Sequence, residues 1–331
     1  MDLRTKYCGL SLSSPLVVSA SPLSEEIENI RQMEEYGASA VVLYSLFEEQ
    51  LTQEAHSLHY HTTQGTESFS EATSYFPEAD EYKLGPEEYL EHIRKAKKAV
   101  KIPIIASLNA AHHGAWEDFA QNIEAAGADA LELNIYYIPN DFELSGLEVE
   151  QNYIDILKAV KKKIKIPVGI KLSPYFSNLV HMAGKLDQAG ADGLVLFNRF
   201  YQPDIDLQIL EVKSDIVLSK SYDIRLPMRW IAILKGRINA SLAATTGIHT
   251  GYDVLKLLMT GADACMLNSI LIKKGIKELK TVQKQMLEWM EVNEYESVEQ
   301  LKGSMSQMNT PNPEAFERAQ YMKAITNYPV V

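Results

Sequence analysis

A (β/α)8 barrel, an α/β fold, is what this sequence predicts. The prediction rests on a repeated phrase, a second phrase interleaved with it, and the strand count the two supply. The first phrase is Tyr36-Gly37-Ala38-Ser39 running into Ala40-Val41-Val42-Leu43. It returns as Ala126-Gly127-Ala128-Asp129, Ala189-Gly190-Ala191-Asp192 and Thr260-Gly261-Ala262-Asp263, each followed by a short apolar run. Every copy comes after a segment of helical periodicity. A glycine just past a helix suits the left-handed capping position, and the apolar run suits a strand buried on both faces. Helix, turn and buried strand, repeated, is the pattern of a parallel α/β architecture.

The second phrase fills the gaps. Lys101-Ile102-Pro103 before Ile104-Ile105-Ala106, and Lys165-Ile166-Pro167 before Val168-Gly169-Ile170, place proline at strand starts, where its missing N–H costs least. Residues 15–20 and 238–243 complete eight strands, and residues 270–292 supply the eighth helix. An active site is then expected at the C-terminal strand ends. The doubly wound alternative lacks support, because no Gly-x-Gly-x-x-Gly follows any strand.

In chain order, residues 1–15 form a lead-in expected to plug the bottom of the barrel, residues 16–292 the barrel, and residues 293–331 a C-terminal extension packed on it. Ser24 is the expected N-cap of a first helix over 25–36, with Glu25 and Glu26 in its first turn. Long non-periodic stretches follow strand two (residues 47–86) and strand six (residues 199–227). Both leave C-terminal strand ends and should overhang the pocket; the second carries apolar, β-branched patches that suggest a hairpin. Asn309-Thr310-Pro311-Asn312-Pro313 breaks the extension before one more helix.

The bulk numbers narrow the function. A net charge of −12 with no dominant basic stripe argues against nucleic acid. The densest basic run, Lys161-Lys162-Lys163 with Lys165, reads as a solvated face near a helix C-terminus. Cys8 and Cys265 are too few for a disulfide framework. Met1-Asp2-Leu3-Arg4 has no apolar core behind it and no window reaches the length of a bilayer span, so a cytoplasmic protein without a membrane anchor is expected.

Polar residues cluster at the ends of the buried strands: Ser19-Ala20-Ser21, Tyr44-Ser45, Ser107 with Asn109, Asn134, Lys171, and Asn198-Arg199. One such residue is an ordinary hydrogen-bonded strand end; six strands ending this way suggest donors around one polar, planar ligand. Lys171 is the sharpest, since its apolar neighbours face the helices and it must point inward. A lysine there needs an anion, an electron-rich acceptor or an ion-pair partner. After strands seven and eight come Ala244-Thr245-Thr246-Gly247-Ile248-His249 and Asn268-Ser269, where backbone N–H groups and a following helix suit a phosphate. His56, His59 and His61 lack a second cluster at zinc spacing, so no metal is expected. His112-His113 follow strand three, and no Ser-His-Asp arrangement is supported, since Gly-x-Ser-x-Gly is absent.

With these segments in order, the chain resembles the dihydroorotate dehydrogenase family of FMN-dependent barrels, from Gly9-Leu10-Ser11-Leu12 to residues 297–303. Glu132-Leu133-Asn134 with Pro139-Asn140 is similar to the family's Leu-Asn-x-x-x-Pro-Asn segment, and Gly169-Ile170-Lys171-Leu172-Ser173-Pro174-Tyr175-Phe176 is the nearest match. The resemblance implies FMN held by Ala20, Ser21, Ser45, Ser107, Asn109, Asn134, Lys171 and Asn198. It places the phosphate at Thr246, Gly247, Asn268 and Ser269. Lys171 would stabilise the reduced, anionic flavin.

The substrate half departs from the pattern. The family's Cys or Ser base before Pro-Asn is missing, leaving Tyr136 or Tyr137 as the catalytic acid/base, and a tyrosine serves so only where its site favours the phenolate. Tyr44 stands where the family has lysine, Glu78 near an orotate-binding asparagine, and Arg199 after Asn198 in place of Ser. With Asn140, these form the expected substrate contacts. The expectation is an FMN-dependent oxidoreductase passing a hydride from a small substrate to FMN, with a rewritten substrate pocket. The rivals are dihydroorotate oxidation in pyrimidine biosynthesis with a Tyr base, a flavin-free phosphate-binding lyase or isomerase, and a non-catalytic partner-binding module. The electron acceptor (protein, quinone or fumarate type) stays open, as does pairing into a homodimer.

Overall fold

The four Gly-Ala turns end their helices as the sequence implies, with Gly37, Gly127, Gly190 and Gly261 at φ between 95° and 117°. A computed structural model describes residues 1–50, 86–110, 116–199, 202–213, 216–317 and 319–327. An antiparallel hairpin, β1 (Thr5–Tyr7) and β2 (Leu10–Leu12), opens the chain. The barrel strands are then β3 (Leu16–Val18), β4 (Ala40–Phe47), β5 (Ile104–Ala110), β6 (Ala130–Ile135), β7 (Val168–Leu172) and β8 (Gly193–Leu196). A second hairpin, β9 (Asp204–Asp206) and β10 (Glu211–Lys213), precedes the last barrel strands, β11 (Ser241–Thr245) and β12 (Ala264–Leu267). The eight barrel strands are parallel and close, β12 pairing back onto β3.

Strand alternation sorts the side chains. On β6, Leu131, Leu133 and Ile135 face the helical layer, whereas Ala130 belongs to the barrel interior. The first hairpin fills the bottom of that interior: Tyr7, Cys8 and Leu12 pack with Val17, Val42, Ile105 and Val195. Two glycines make room for it. A Cβ on Gly169 would stand 3.1 Å from Tyr7 Oη, and one on Gly193 would collide with Cys8 Sγ. Both cysteines are free and buried, and burial pushes the Cys8 thiol up to about 12.

The repeated phrase carries a repeated electrostatic device. Asp129, Asp192 and Asp263 each accept a backbone N–H near the start of the neighbouring strand, from Ile104 (2.7 Å), Val168 (2.7 Å) and Leu242 (2.8 Å). Each also meets a lysine: Lys97 and Lys161 at 2.6 Å, and Lys302 at 3.1 Å. In the first copy Ser39 instead donates to the Leu16 carbonyl at 2.8 Å. A second set alternates with it: Glu34, Glu124 and Asp187 accept the paired N–H groups of Lys101-Ile102, Lys165-Ile166 and Asn239-Ala240. These carboxylates satisfy backbone donors that the strand starts would otherwise bury unpaired.

Three details differ from the sequence reading. Ser24 is not a helix cap: a short 3-10 turn, Pro22–Glu25, precedes a helix Ile27–Glu35, and Glu26 at its N-cap position makes no side-chain capping bond. Ser24 Oγ donates to the Ser21 carbonyl and accepts Tyr44 N–H at 2.7 Å, pinning β4 instead. The eighth helix is two, Ser269–Lys274 and Glu278–Val292, separated at Gly275. Within the basic run, Lys161 is held by Asp192 and Lys163 by Asp118, so two of its lysines serve as ion-pair partners. Beyond the last long helix, Gly303, Met305 and Gln307 donate backbone N–H groups to Leu258, Met259 and Ala232 of the helical layer. No helix among the described residues is long and apolar enough to cross a membrane.

Candidate active site

The register sets the upper ring of the barrel. Ser45 lies opposite Ser107, Asn109 opposite Asn134, and Asn134 opposite Lys171. Neighbours in this ring bond one another: Ser45 and Ser107 hydroxyls meet at 2.8 Å, and Asn198 Nδ2 donates to Asn134 Oδ1 at 2.6 Å. One layer below, Lys171 Nζ reaches Glu132 Oε1 at 3.3 Å, with both side chains buried. The second Glu132 oxygen is buried without a hydrogen-bond partner among the described residues.

Two connected lobes open above this floor. An inner lobe of about 210 Å³ runs from Ala20 and Lys171 to Thr246, Gly247, Asn268 and Ser269. An upper lobe of about 630 Å³ is lined by Ser45, Asn109, Asn134 and Tyr136. The lobes share Ala20, Lys171, Asn198 and Arg199, with Ile216 and Val217 of the excursion after β8. The hairpin β9–β10 belongs to that same excursion.

The far end of the inner lobe is built tightly. Thr246 and Gly247 both have positive φ, 77° and 81°, and a Cβ on Gly247 would lie 2.5 Å from Ile224 N. Only glycine fits there without strain. Ser219 organises the turn: its hydroxyl accepts Gly247 N–H at 3.2 Å and donates to Ser269 Oγ at 2.8 Å, and its carbonyl accepts Lys273 Nζ at 2.7 Å. Asn268 Oδ1 is buried with no partner among the described residues. The helix that follows, Gly251–Thr260, offers less than the sequence suggested. Its capping box is closed by Thr250 and Asp253, and Asp253 Oδ2 already accepts the N–H groups of His249 and Thr250. Burial and nearby Lys273 hold the His249 imidazole below its usual value.

Other expected residues lie elsewhere. A register shift between Val42 and Ser45 turns Tyr44 toward the helices. Its ring sits on Tyr89 (5.1 Å) and His92 (5.5 Å), and burial raises its phenol well above the ordinary range. Tyr44 therefore stands outside both lobes. Ser21 is buried beside the 3-10 turn it precedes and lines neither lobe. Tyr137 faces a separate crevice with Tyr153 and Phe176, and Asn140 is exposed. Glu78, His56, His59, His61, His112 and His113 lie outside the described residues, within which no group of three metal-ligating side chains occurs.

Sequence reasoning gave no role to Glu132 or Ser219. Glu132 was legible in principle, since the apolar alternation of β6 puts it on the same face as Asn134. Ser219 was not, because it reaches the site only through the excursion after β8.

These features define an α/β barrel with a polar, cation-floored cavity at the C-terminal ends of its strands, the usual place for catalysis in this fold. A family model described as dihydroorotate dehydrogenase matches residues 82–290, and the chain belongs to that family. It is 28% identical over 320 residues to a protein of Thermoplasma volcanium named dihydroorotate dehydrogenase B (NAD(+)), catalytic subunit, covering 91% of this chain and 98% of that one. Proteins of the same name from Thermoplasma acidophilum and Methanocaldococcus jannaschii are each 26% identical, over 91% and 85% of this chain and 98% and 90% of theirs. The chain is thus a dihydroorotate dehydrogenase-like oxidoreductase.

Proposed function

We propose that this protein is an FMN-dependent oxidoreductase that takes a hydride from a small substrate, with a substrate pocket that has diverged from the family pattern. The observation that carries the reading is the two-lobed cavity, with Lys171 on its floor and the Thr246-Gly247 turn at its far end. The residues fit the cofactor. The upper lobe has room and polar lining for a planar ring, the inner lobe ends in a turn that only glycine can make, and the orphaned Asn268 Oδ1 is a polar atom a bound molecule would satisfy. When bound, FMN supplies the hydride acceptor.

The protein's own contribution is binding, orientation and charge. Glu132 holds the Lys171 ammonium in place, so that a cation faces the cavity without an unpaired charge in the barrel. The bonds Ser45–Ser107 and Asn134–Asn198 fix the ring-facing side chains before any ligand arrives. Ile216 and Val217 line both lobes and would present an apolar surface to a bound molecule.

A second reading, oxidation of dihydroorotate itself, is favoured by the family and by Tyr136, which lines the upper lobe where Tyr137 does not. One experiment addresses both: the visible spectrum of the purified protein, before and after dihydroorotate is added without oxygen. Flavin bands that persist support the diverged oxidoreductase. Bands that bleach support dihydroorotate as substrate. Protein that stays colourless after FMN is added removes the flavin reading.

A further inference from the structure

A third lobe, of about 400 Å³, adjoins the other two. It is lined by Arg199, Arg225, Gln202, Tyr175, Tyr222 and Asn198, among others. Arg199 lines all three lobes, so it stands where the third opens into the cavity above Lys171. Arg225 enters from the first turn of the helix Arg225–Leu234.

Other guanidinium groups of the chain are held in several ways, and Arg237 donates to Gln307 Oε1 at 2.8 Å. Arg4, Arg31 and Arg94 all sit against carboxylates. Arg199 and Arg225, like Arg229 on the same helix as Arg225, have no hydrogen bond or ion pair with any described residue, and of the three only Arg199 and Arg225 line this lobe. The one carboxylate in the lobe, Asp223, is tied to its own turn by accepting Lys220 N–H at 2.9 Å. In a protein of net charge −12, two unpaired arginines converging on one cavity are a local reversal of sign. A guanidinium presents a planar fork of donors that matches a carboxylate or a phosphate, and two of them with flanking tyrosines suit an organic anion more than a lone ion.

We propose that the lobe between Arg199 and Arg225 is an anion site, and that it reads a carboxylate or phosphate group on the substrate of the neighbouring cavity. The second half rests on the oxidoreductase reading above; the first does not. Arg199 is the specificity-determining residue at the mouth, and Arg225 anchors the far side of the charged group. The substrate class is accordingly a small organic anion whose charged group lies to one side of the reacting carbon.

Isothermal calorimetry on the full-length protein tests this at fixed ionic strength with succinate, inorganic phosphate and the uncharged analogue succinamide. FMN affinity is measured in parallel by flavin fluorescence. The expected result is saturable binding of succinate or phosphate but not succinamide. Arg199→Gln and Arg225→Gln should each weaken it by tenfold or more, with unchanged thermal unfolding. Whichever probe binds identifies the group the site prefers. Failure of both anions to bind would overturn the proposal. So would an Arg199→Gln variant that loses FMN affinity while holding the probe as before, because the guanidinium would then serve the cofactor's phosphate. Anion binding by protein that takes up no FMN would uphold the site and sink the oxidoreductase reading alone.

Discussion

Lys171 Nζ and Glu132 Oε1 lie 3.3 Å apart on adjacent strands, and neither side chain has another ionised partner among the described residues. Such a pair gains little over an apolar filling, yet breaking it leaves one charge stranded. Glu132→Ala is therefore expected to cost about 3–5 kcal/mol in urea unfolding, and Glu132→Leu combined with Lys171→Met much less. Equal losses in the single and double variants would show that the charges do not depend on each other.

The same pair governs the flavin reading. Lys171→Ala should weaken FMN binding or lower the potential of the bound flavin, because a cation beside the ring favours the reduced anion. Fluorescence titration and a redox titration read the two effects separately. If both stay at their wild-type values, Lys171 has no part in the site.

Gly247→Ala tests the far end of the cavity. A Cβ there meets Ile224 N at 2.5 Å, on a backbone that side chains rarely adopt. The turn must move, and the hydrogen bond from Gly247 N–H to Ser219 Oγ moves with it. FMN affinity should fall at least tenfold while the barrel still folds. Ser219→Ala should weaken it less, since the turn keeps its conformation. Undiminished affinity in Gly247→Ala would separate this turn from the cofactor.

What the sequence disclosed follows from where the information is local. The strand order and Lys171 were legible because periodicity and proline placement act over a few residues. Ser45, Asn134 and Asn198 were singled out as polar residues at the ends of buried strands, and they line the upper lobe. Tyr44 was expected among the substrate contacts, whereas β4 shifts register between Val42 and Ser45 and the Tyr44 ring packs on Tyr89 and His92. The capping role of Asp253 was not read from the sequence, and its carboxylate takes the His249 and Thr250 N–H groups that stand at the helix start. Ser219 and Arg225 reach the cavity across a long excursion, and no local pattern encodes such a return.

The repeated aspartates make a stability prediction of their own. Asp192→Ala removes the acceptor of Val168 N–H and the partner of Lys161 together. The ion pair is partly exposed and contributes little by itself. The stranded N–H at the start of β7 dominates, for a loss of about 1–3 kcal/mol. Asp192→Asn keeps an acceptor without the charge and should recover most of that loss. If asparagine is as damaging as alanine, the ion pair and not the backbone bond is what matters.

Histidine titration gives the fold a defined acid flank. His92 donates Nε2–H to the Ser24 carbonyl at 2.7 Å and packs beside Tyr44, and burial lowers its affinity for a proton. His249 is shifted the same way. Both groups bind protons more readily in the unfolded chain, so stability has a positive slope with pH between the folded and unfolded values. Their contribution is complete above the unfolded value of about 6.5 and is lost as pH falls through the lower folded values. Unfolding free energy should accordingly decline from pH 7 toward pH 5. His92→Gln, which keeps a donor for Ser24 but cannot titrate, should flatten that decline, and His92→Gln with His249→Gln should flatten it further. An unchanged slope in the double variant would show that neither imidazole sets the acid sensitivity.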